Sequence, residues 1–164
     1  MRKKTLVYGF RPFLDVEENI SASVVRALRP RSGLVKRVFD VKFHRSQFID
    51  AVRAADAELV LGLGLHGRAR KLRIERRAAN VRRSPHKPCR PIRAGGPDYR
   101  FVSLKIRPSA LSTVTYDAGT YVCNFSMYVL SEFCESRGIP YAFVHVPPDA
   151  RVRDVVKFVD SVIR

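Results

Sequence analysis

The 164-residue chain is 46% apolar and 28% charged, with no apolar run long enough to cross a bilayer as a helix, which argues against intrinsic disorder and membrane spanning and fits one domain over residues 1–164. Its 31 Lys and Arg against 15 Asp and Glu give a net charge of +16, a field that attracts polyanions and acidic surfaces and puts nucleic acid among the candidate partners. Three cysteines, Cys89, Cys123 and Cys134, are too few and too irregular for a disulfide framework or a four-ligand zinc site. No signal-peptide core follows the basic N-terminus, so a reducing cytoplasm is the expected location. The scarcity of amides, with Gln47 the one glutamine and Asn19, Asn80 and Asn124 the asparagines, points to a hot habitat.

In chain order, Thr5 to Tyr8 reads as a strand ended by Gly9, and Asn19 caps a helix through ISASVVRAL that Pro30 stops. Val38 to Phe43 alternates as a second strand. Ser46 then caps a helix with Phe48, Ile49, Val52 and Ala55 on one face. LVLGLGL (59–65) is a buried strand. Residues 66–100 hold 12 Lys and Arg in 35 positions, only Glu75 and Asp98 as acids, and prolines 85, 88, 91 and 97, and read as mostly loop, with a basic Pro-rich stretch at 82–98. FVSLKI (101–106) begins a further strand, and TVTYDAGT (113–120) is another, leading into a helix from Val122 to Glu135 that closes near Gly138. YAFVHV (141–146) is the last strand, and Asp149 opens a terminal helix carrying Val152, Val155, Val156, Val159 and Ile163. Alternating strands and helices predict an α/β protein with a largely parallel, twisted sheet covered on both faces.

Ligands of such sheets bind beyond the carboxyl ends of the strands. Those ends hold Phe10 and Phe13, His66 to Glu75, Cys123 and His145, the inventory of a Cys/His/acid nucleophilic site. Cys123 at a helix start is expected to have a lowered thiol pKa, His145 to exchange protons with it, and Glu75 to orient the imidazole. Each residue also has a plainer reading. Cys123, Met127, Leu130 and Cys134 share a helical stripe typical of a core. His145 sits in an apolar strand, Glu75 among many arginines reads as an ion-pair partner, and Phe10 and Phe13 as packing. His44 and His66 lack metal-ligand spacing, and no metal or cofactor is expected. GLGLHG (62–67) lacks the spacing of a nucleotide loop.

Four stretches together resemble pyroglutamyl peptidase type I, the pyrrolidone carboxylate peptidase family of cytoplasmic cysteine (thiol) peptidases. YGFRPF (8–13) is similar to its G-F-x-P-F opening, and LGLGLHGRARKLRIERRAAN (61–80) to its segment from G-L-G to E-R-x-A-x-N. DAGTYVCNFSMY (117–128) is similar to its A-G-T-Y-V-C-N motif, and VHVP (144–147) to its histidine segment. The resemblance implies a three-layer α/β/α sandwich and a hydrolase that removes N-terminal pyroglutamyl residues from peptides or related small acyl amides. It places the catalytic roles on Cys123, His145 and Glu75, and substrate binding on Phe10, Phe13, Asn19, Leu65, Tyr121 and Val122. A homo-oligomer is also implied as a partner.

The departures are specific. Leu65 stands where the family usually has Gln, so one hydrogen bond to the lactam is expected to be missing, which relaxes specificity more than bond cleavage. Leu14 replaces a Gly, RRSPHKPCRPI (82–92) has lost the family's acids, and only Arg107 to Ser112 remain where the family has a helix. The chain is short for this family. A second reading stays open: a member that binds an acidic ligand or RNA through Arg68 to Arg93 without turnover.

Overall fold

The computed structural model describes residues 3–13 and 17–164; Leu14 lies outside them. The strands are β1 (Thr5–Phe10), β2 (Leu34–Phe39), β3 (Leu59–Leu65), β4 (Leu72–Glu75), β5 (Arg77–Ala79), β6 (Tyr99–Phe101), β7 (Ser112–Thr115) and β8 (Tyr141–Val146). The helices are α1 (Ile20–Ala27), α2 (Arg45–Ala54), α3 (Val122–Glu135) and α4 (Val152–Val162). Six strands form one sheet in the order β2-β1-β3-β8-β4-β7, while β5 and β6 pair antiparallel as a separate ribbon.

Side-chain alternation along the strands sorts the core into two layers. Tyr8, Phe10, Tyr141 and Phe143 face α2 and α3, where they pack with Phe48, Ile49, Phe125, Tyr128 and Leu130. Val7, Leu61, Leu63 and Val144 face the other way and pack with Val24 and Val25 of α1, Leu28 at its C-terminal end, and Val155 and Val159 of α4. The result is the three-layer sandwich. On the α3 face a buried hydroxyl chain ties sheet to helix, with Tyr8 Oη 3.0 Å from Ser126 Oγ and 2.8 Å from Tyr141 Oη.

Glycines set how closely the layers approach. A Cβ on Gly9 would lie 2.7 Å from the Ser21 carbonyl oxygen, so α1 packs directly on that strand backbone. Gly9 therefore sits within β1, which runs on to Phe10. It does not end the strand as expected. α1 starts as anticipated: Asn19 Oδ1 accepts from Ser21 N at 3.1 Å, a cap worth about 1 kcal/mol.

Other boundaries moved. The second strand is Leu34–Phe39 rather than Val38 to Phe43, because its register is set by pairing with β1, Thr5 opposite Leu34 through Phe10 opposite Phe39. α2 begins at Arg45 with His44 at the N-cap, so Ser46 is inside the helix. α4 begins at Val152 with Arg151 at its N-cap, and Asp149 belongs to the preceding turn. The segment 66–100 is less loop-like than its composition implies. Leu72 and Ile74 bury one side of β4, and Asn124 of α3 pins the backbone that follows, accepting from Ala79 N at 2.9 Å and donating to the carbonyls of Ala79 and Val81 at 2.9 and 2.8 Å. FVSLKI contributes only Phe101 to a strand; beyond it Leu104 N donates to Tyr141 O.

The sheet is largely parallel, as expected, with one antiparallel pairing. β2, β1, β3 and β8 are mutually parallel, whereas β4 runs antiparallel to β8 and parallel to β7. The short turn from β3 into β4 cannot make a parallel crossover, which needs a dozen or more residues.

Candidate active site

Cys123 is the second residue of α3, whose N-cap Tyr121 makes no side-chain hydrogen bond to the helix. The first backbone amides of α3 are therefore left uncapped by that side chain. Beneath the thiol lies Gly64 of β3: a Cβ there would come within 2.6 Å of Cys123 Sγ and 3.2 Å of His145 Cδ2. The alternating glycines of GLGL thus leave room on the α3 face of the sheet, where Gly62 lies against Tyr8 and Phe143 and Gly64 lies beneath both sulfur and imidazole.

His145 projects from β8 beside Gly64, its register partner, and is 3% exposed. Its Nδ1 is 2.8 Å from Glu75 Oε1. Glu75 is fully buried at the end of β4, opposite Phe143, so His145 is its diagonal neighbour on the same sheet face. The carboxylate was expected from beyond a parallel strand's carboxyl end; it comes instead from a reversed strand, within the sheet. Two further groups hold it. Arg73 Nε donates to Glu75 Oε1 at 3.1 Å and Thr115 Oγ1 donates to Oε2. A carboxylate bonded on both oxygens has little freedom to leave the imidazole.

The thiol departs from expectation. Cys123 is pushed up to about 12, first by burial and then by the negative charge of Glu75, with only its own backbone hydrogen bond acting the other way. No guanidinium lowers it; Arg73 is directed at Glu75 and at the Asp117 carbonyl. At neutral pH the sulfur is therefore held as a thiol. A second imidazole stands alongside: the His66 ring meets His145 edge to face with centroids 5.3 Å apart, and His66 Nδ1 accepts from Arg68 N at 3.3 Å. Burial, then His145 and Arg73, hold His66 below the usual histidine range, against an opposing pull from Glu75.

Against Cys123 opens a cavity of about 260 Å³. Phe10, Phe13, Asn19, Leu65, Tyr121 and Val122, all named from the sequence, line it together with Cys123. Val41, Lys42, Phe43 and Pro85 complete the wall. Larger hollows of about 520 and 660 Å³ lie around Thr5, Gly33 and Leu59 and against α4, away from Cys123 and His145. Phe10 is fully packed, its ring edge-on to Tyr8 and Phe48, whereas Phe13 is 37% exposed at the rim. Asn19 Oδ1 is occupied by Ser21 N and Ser21 Oγ, and its amide donates to Arg11 O at 3.3 Å, which leaves one amide hydrogen for a ligand. Leu65 adds no polar atom from its side chain. The wall is thus largely apolar, with Asn19, Lys42 and the Tyr121 hydroxyl as its polar groups beside the thiol, and Lys42 is paired to Asp40 at 3.1 Å.

Several contributors escaped the sequence reading. Arg73 reaches Glu75 from two residues earlier on β4, Thr115 only through the β4–β7 pairing, and Val41 and Phe43 enter from the loop after β2. Pro85 carried a signal as part of the Pro-rich stretch, but none for the cavity. Among the described residues no cluster of three or more His, Cys, Asp or Glu side chains is placed to hold a metal ion. Cys134 is buried in the core and Cys89 is exposed.

No protein-family model matches the chain. Among characterised sequences it is similar to the pyrrolidone-carboxylate peptidase of Halalkalibacterium halodurans, 30% identical over 168 aligned positions covering 87% of this chain and 82% of the relative. The corresponding enzyme of Thermococcus onnurineus is 30% identical over 197 positions, covering 98% and 97%. Among solved structures, pyroglutamyl peptidase I of Bacillus amyloliquefaciens superposes with a TM-score of 0.88 at 22% identity over 99% of this chain and 94% of that one. The pyrrolidone carboxyl peptidase of Thermococcus litoralis gives 0.86 at 21% identity over 98% and 91%. The structural matches establish the fold, and the sequence matches, at this identity over most of both chains, establish that the chain belongs to the pyrrolidone-carboxylate peptidase family.

Proposed function

We propose that the protein hydrolyses the amide bond that follows an N-terminal pyroglutamyl residue, with Cys123 as nucleophile, His145 as proton carrier and Glu75 as the group that orients it. The carrying observation is that one cavity of about 260 Å³, of a size for a single small ring, is lined by Cys123 and by all six residues assigned to the acyl group. The His145–Glu75 pair adjoins that thiol across Gly64.

The chemistry follows from the protonation states. Glu75 accepts from His145 Nδ1–H, which leaves Nε2 as the free basic nitrogen. Because the thiol is neutral at rest, Nε2 takes its proton as sulfur bonds to the acyl carbon. The backbone N–H groups at the start of α3, not capped by Tyr121, face the developing oxyanion. The imidazolium, held by Glu75, passes the proton to the departing amine as the C–N bond breaks. Water, deprotonated by Nε2, then cleaves the thioester and releases pyroglutamate, and the proton returns to sulfur.

Turnover of a fluorogenic pyroglutamyl amide is the test. The wild type is expected to release the fluorophore, and Cys123→Ala to fall by more than about a thousandfold. No turnover by the wild type, or equal turnover by Cys123→Ala, overturns the proposal.

A further inference from the structure

Cys123 borders both the acyl cavity and, across Gly64, the proton carrier His145. The cavity is lined by Phe10, Phe13, Leu65 and their neighbours, and His145 is not among its walls. A leaving amine must receive its proton from His145, so the residue after the scissile bond departs on the His145 side. The border falls between two adjacent residues. Leu65 turns into the acyl cavity, and the next residue, His66, places its ring edge to face against His145.

His66 opens the turn between β3 and β4, closed by Ala69 N donating to His66 O at 3.0 Å and tied to β8 by His66 N donating to Val146 O at 3.1 Å. The leaving-group side is therefore flanked by the sequence HGRARK (66–71), followed by Arg73. From residue 59 to 74 there is no Asp or Glu. Arg68, Arg70 and Lys71 are exposed and make no ion pair among the described residues. Their charges are unspent. Arg73 is occupied by Glu75 and the Asp117 carbonyl. Asp117 Oδ1 accepts from Gly119 N, and Asp149, in the turn after β8, is exposed; neither is paired with Arg68, Arg70 or Lys71 among the described residues.

We infer that this turn selects substrates by charge, so that the preferred peptides carry an acidic residue immediately after the pyroglutamyl group. The inference rests on the pyroglutamyl reading above and adds the substrate class on the leaving-group side. Arg68 and Arg70 are the main contributors, with Lys71 adding to the field. A carboxylate arriving there meets cations without breaking any existing pair, whereas a lysine in the same place is repelled.

The test compares release of free pyroglutamate from pGlu-Glu-amide, pGlu-Ala-amide and pGlu-Lys-amide at low ionic strength. The expected order of kcat/KM is Glu above Ala above Lys, each step about three- to tenfold, shrinking toward equality in 0.5 M salt, about where the Debye length falls to a few ångströms. In Arg68→Glu/Arg70→Glu the Glu-to-Ala ratio is expected to drop to about one or below, a ratio that does not depend on how much of the variant folds. Equal rates on all three substrates, or an unchanged ratio in the variant, overturn this inference alone. Release from none of them overturns the pyroglutamyl reading and this inference with it.

Discussion

Glu75 shows how much one buried charge decides. It is fully buried, raises the Cys123 thiol by its charge, and holds the imidazole at 2.8 Å. Replacing it with Gln keeps the shape but removes the charge that balances an imidazolium. Glu75→Gln is expected to lower kcat on a pyroglutamyl amide by about 10²- to 10⁴-fold with a much smaller change in KM, because the acyl cavity does not include this side chain. A steady-state comparison with the wild type reads both parameters. A change confined to KM would place Glu75 in binding. At the same scale, Asn19 combines two tasks, capping α1 and facing the acyl cavity, so its loss costs helix stability as well as recognition.

At the scale of elements, β3 and the start of α3 make the site together. Their spacing is set by backbone, since Gly64 offers no side chain between Cys123 and His145. Gly64→Ala introduces a methyl 2.6 Å from the sulfur, against groups packed into the sheet-helix interface. It is expected to cost about 1–3 kcal/mol of stability and to reduce kcat/KM more than a hundredfold, measured by chemical denaturation and by turnover. Full activity in a folded Gly64→Ala protein would show that sulfur and imidazole do not work across this glycine. The ribbon of β5 and β6 has a separate role. It is held to α3 by Asn124 and by Glu132, whose carboxylate receives Arg93 and Arg100 of the basic segment as well as Arg45 of α2, so that part of the excess positive charge fastens that segment to the core.

Across the whole molecule, alkaline pH is the exposed weakness. Burial raises Cys123 and Cys134 from 9.0 to about 12, and it raises Tyr8 and Tyr141 above the ordinary tyrosine range. Below pH 9 these groups are neutral in both the folded and the unfolded chain. Between pH 9 and 12 the unfolded chain gives up protons that the folded chain retains, so stability is lost as pH rises through that window. The Tm is expected to fall steadily from pH 9, and less steeply in Cys134→Ala, where one of the raised groups is gone; thermal melts at a series of pH values check this. A flat profile to pH 11, or an identical slope in the variant, contradicts it.

The two layers, the exact span of β3 and of β8, the cap at Asn19 and the extent of α3 were legible because they rest on local periodicity and capping chemistry. The motifs around Cys123, His145 and Glu75 also identified the family and the residues that line one cavity with its neighbouring pair. Tertiary structure alone decided the rest. The direction of β4 depends on pairing with β8 and β7, strands remote in sequence, and that pairing is what puts Glu75 under the imidazole and Thr115 beside Glu75. The thiol's protonation state likewise reflects desolvation and a charge brought from a distant strand, and these outweigh the helix start that local sequence displays.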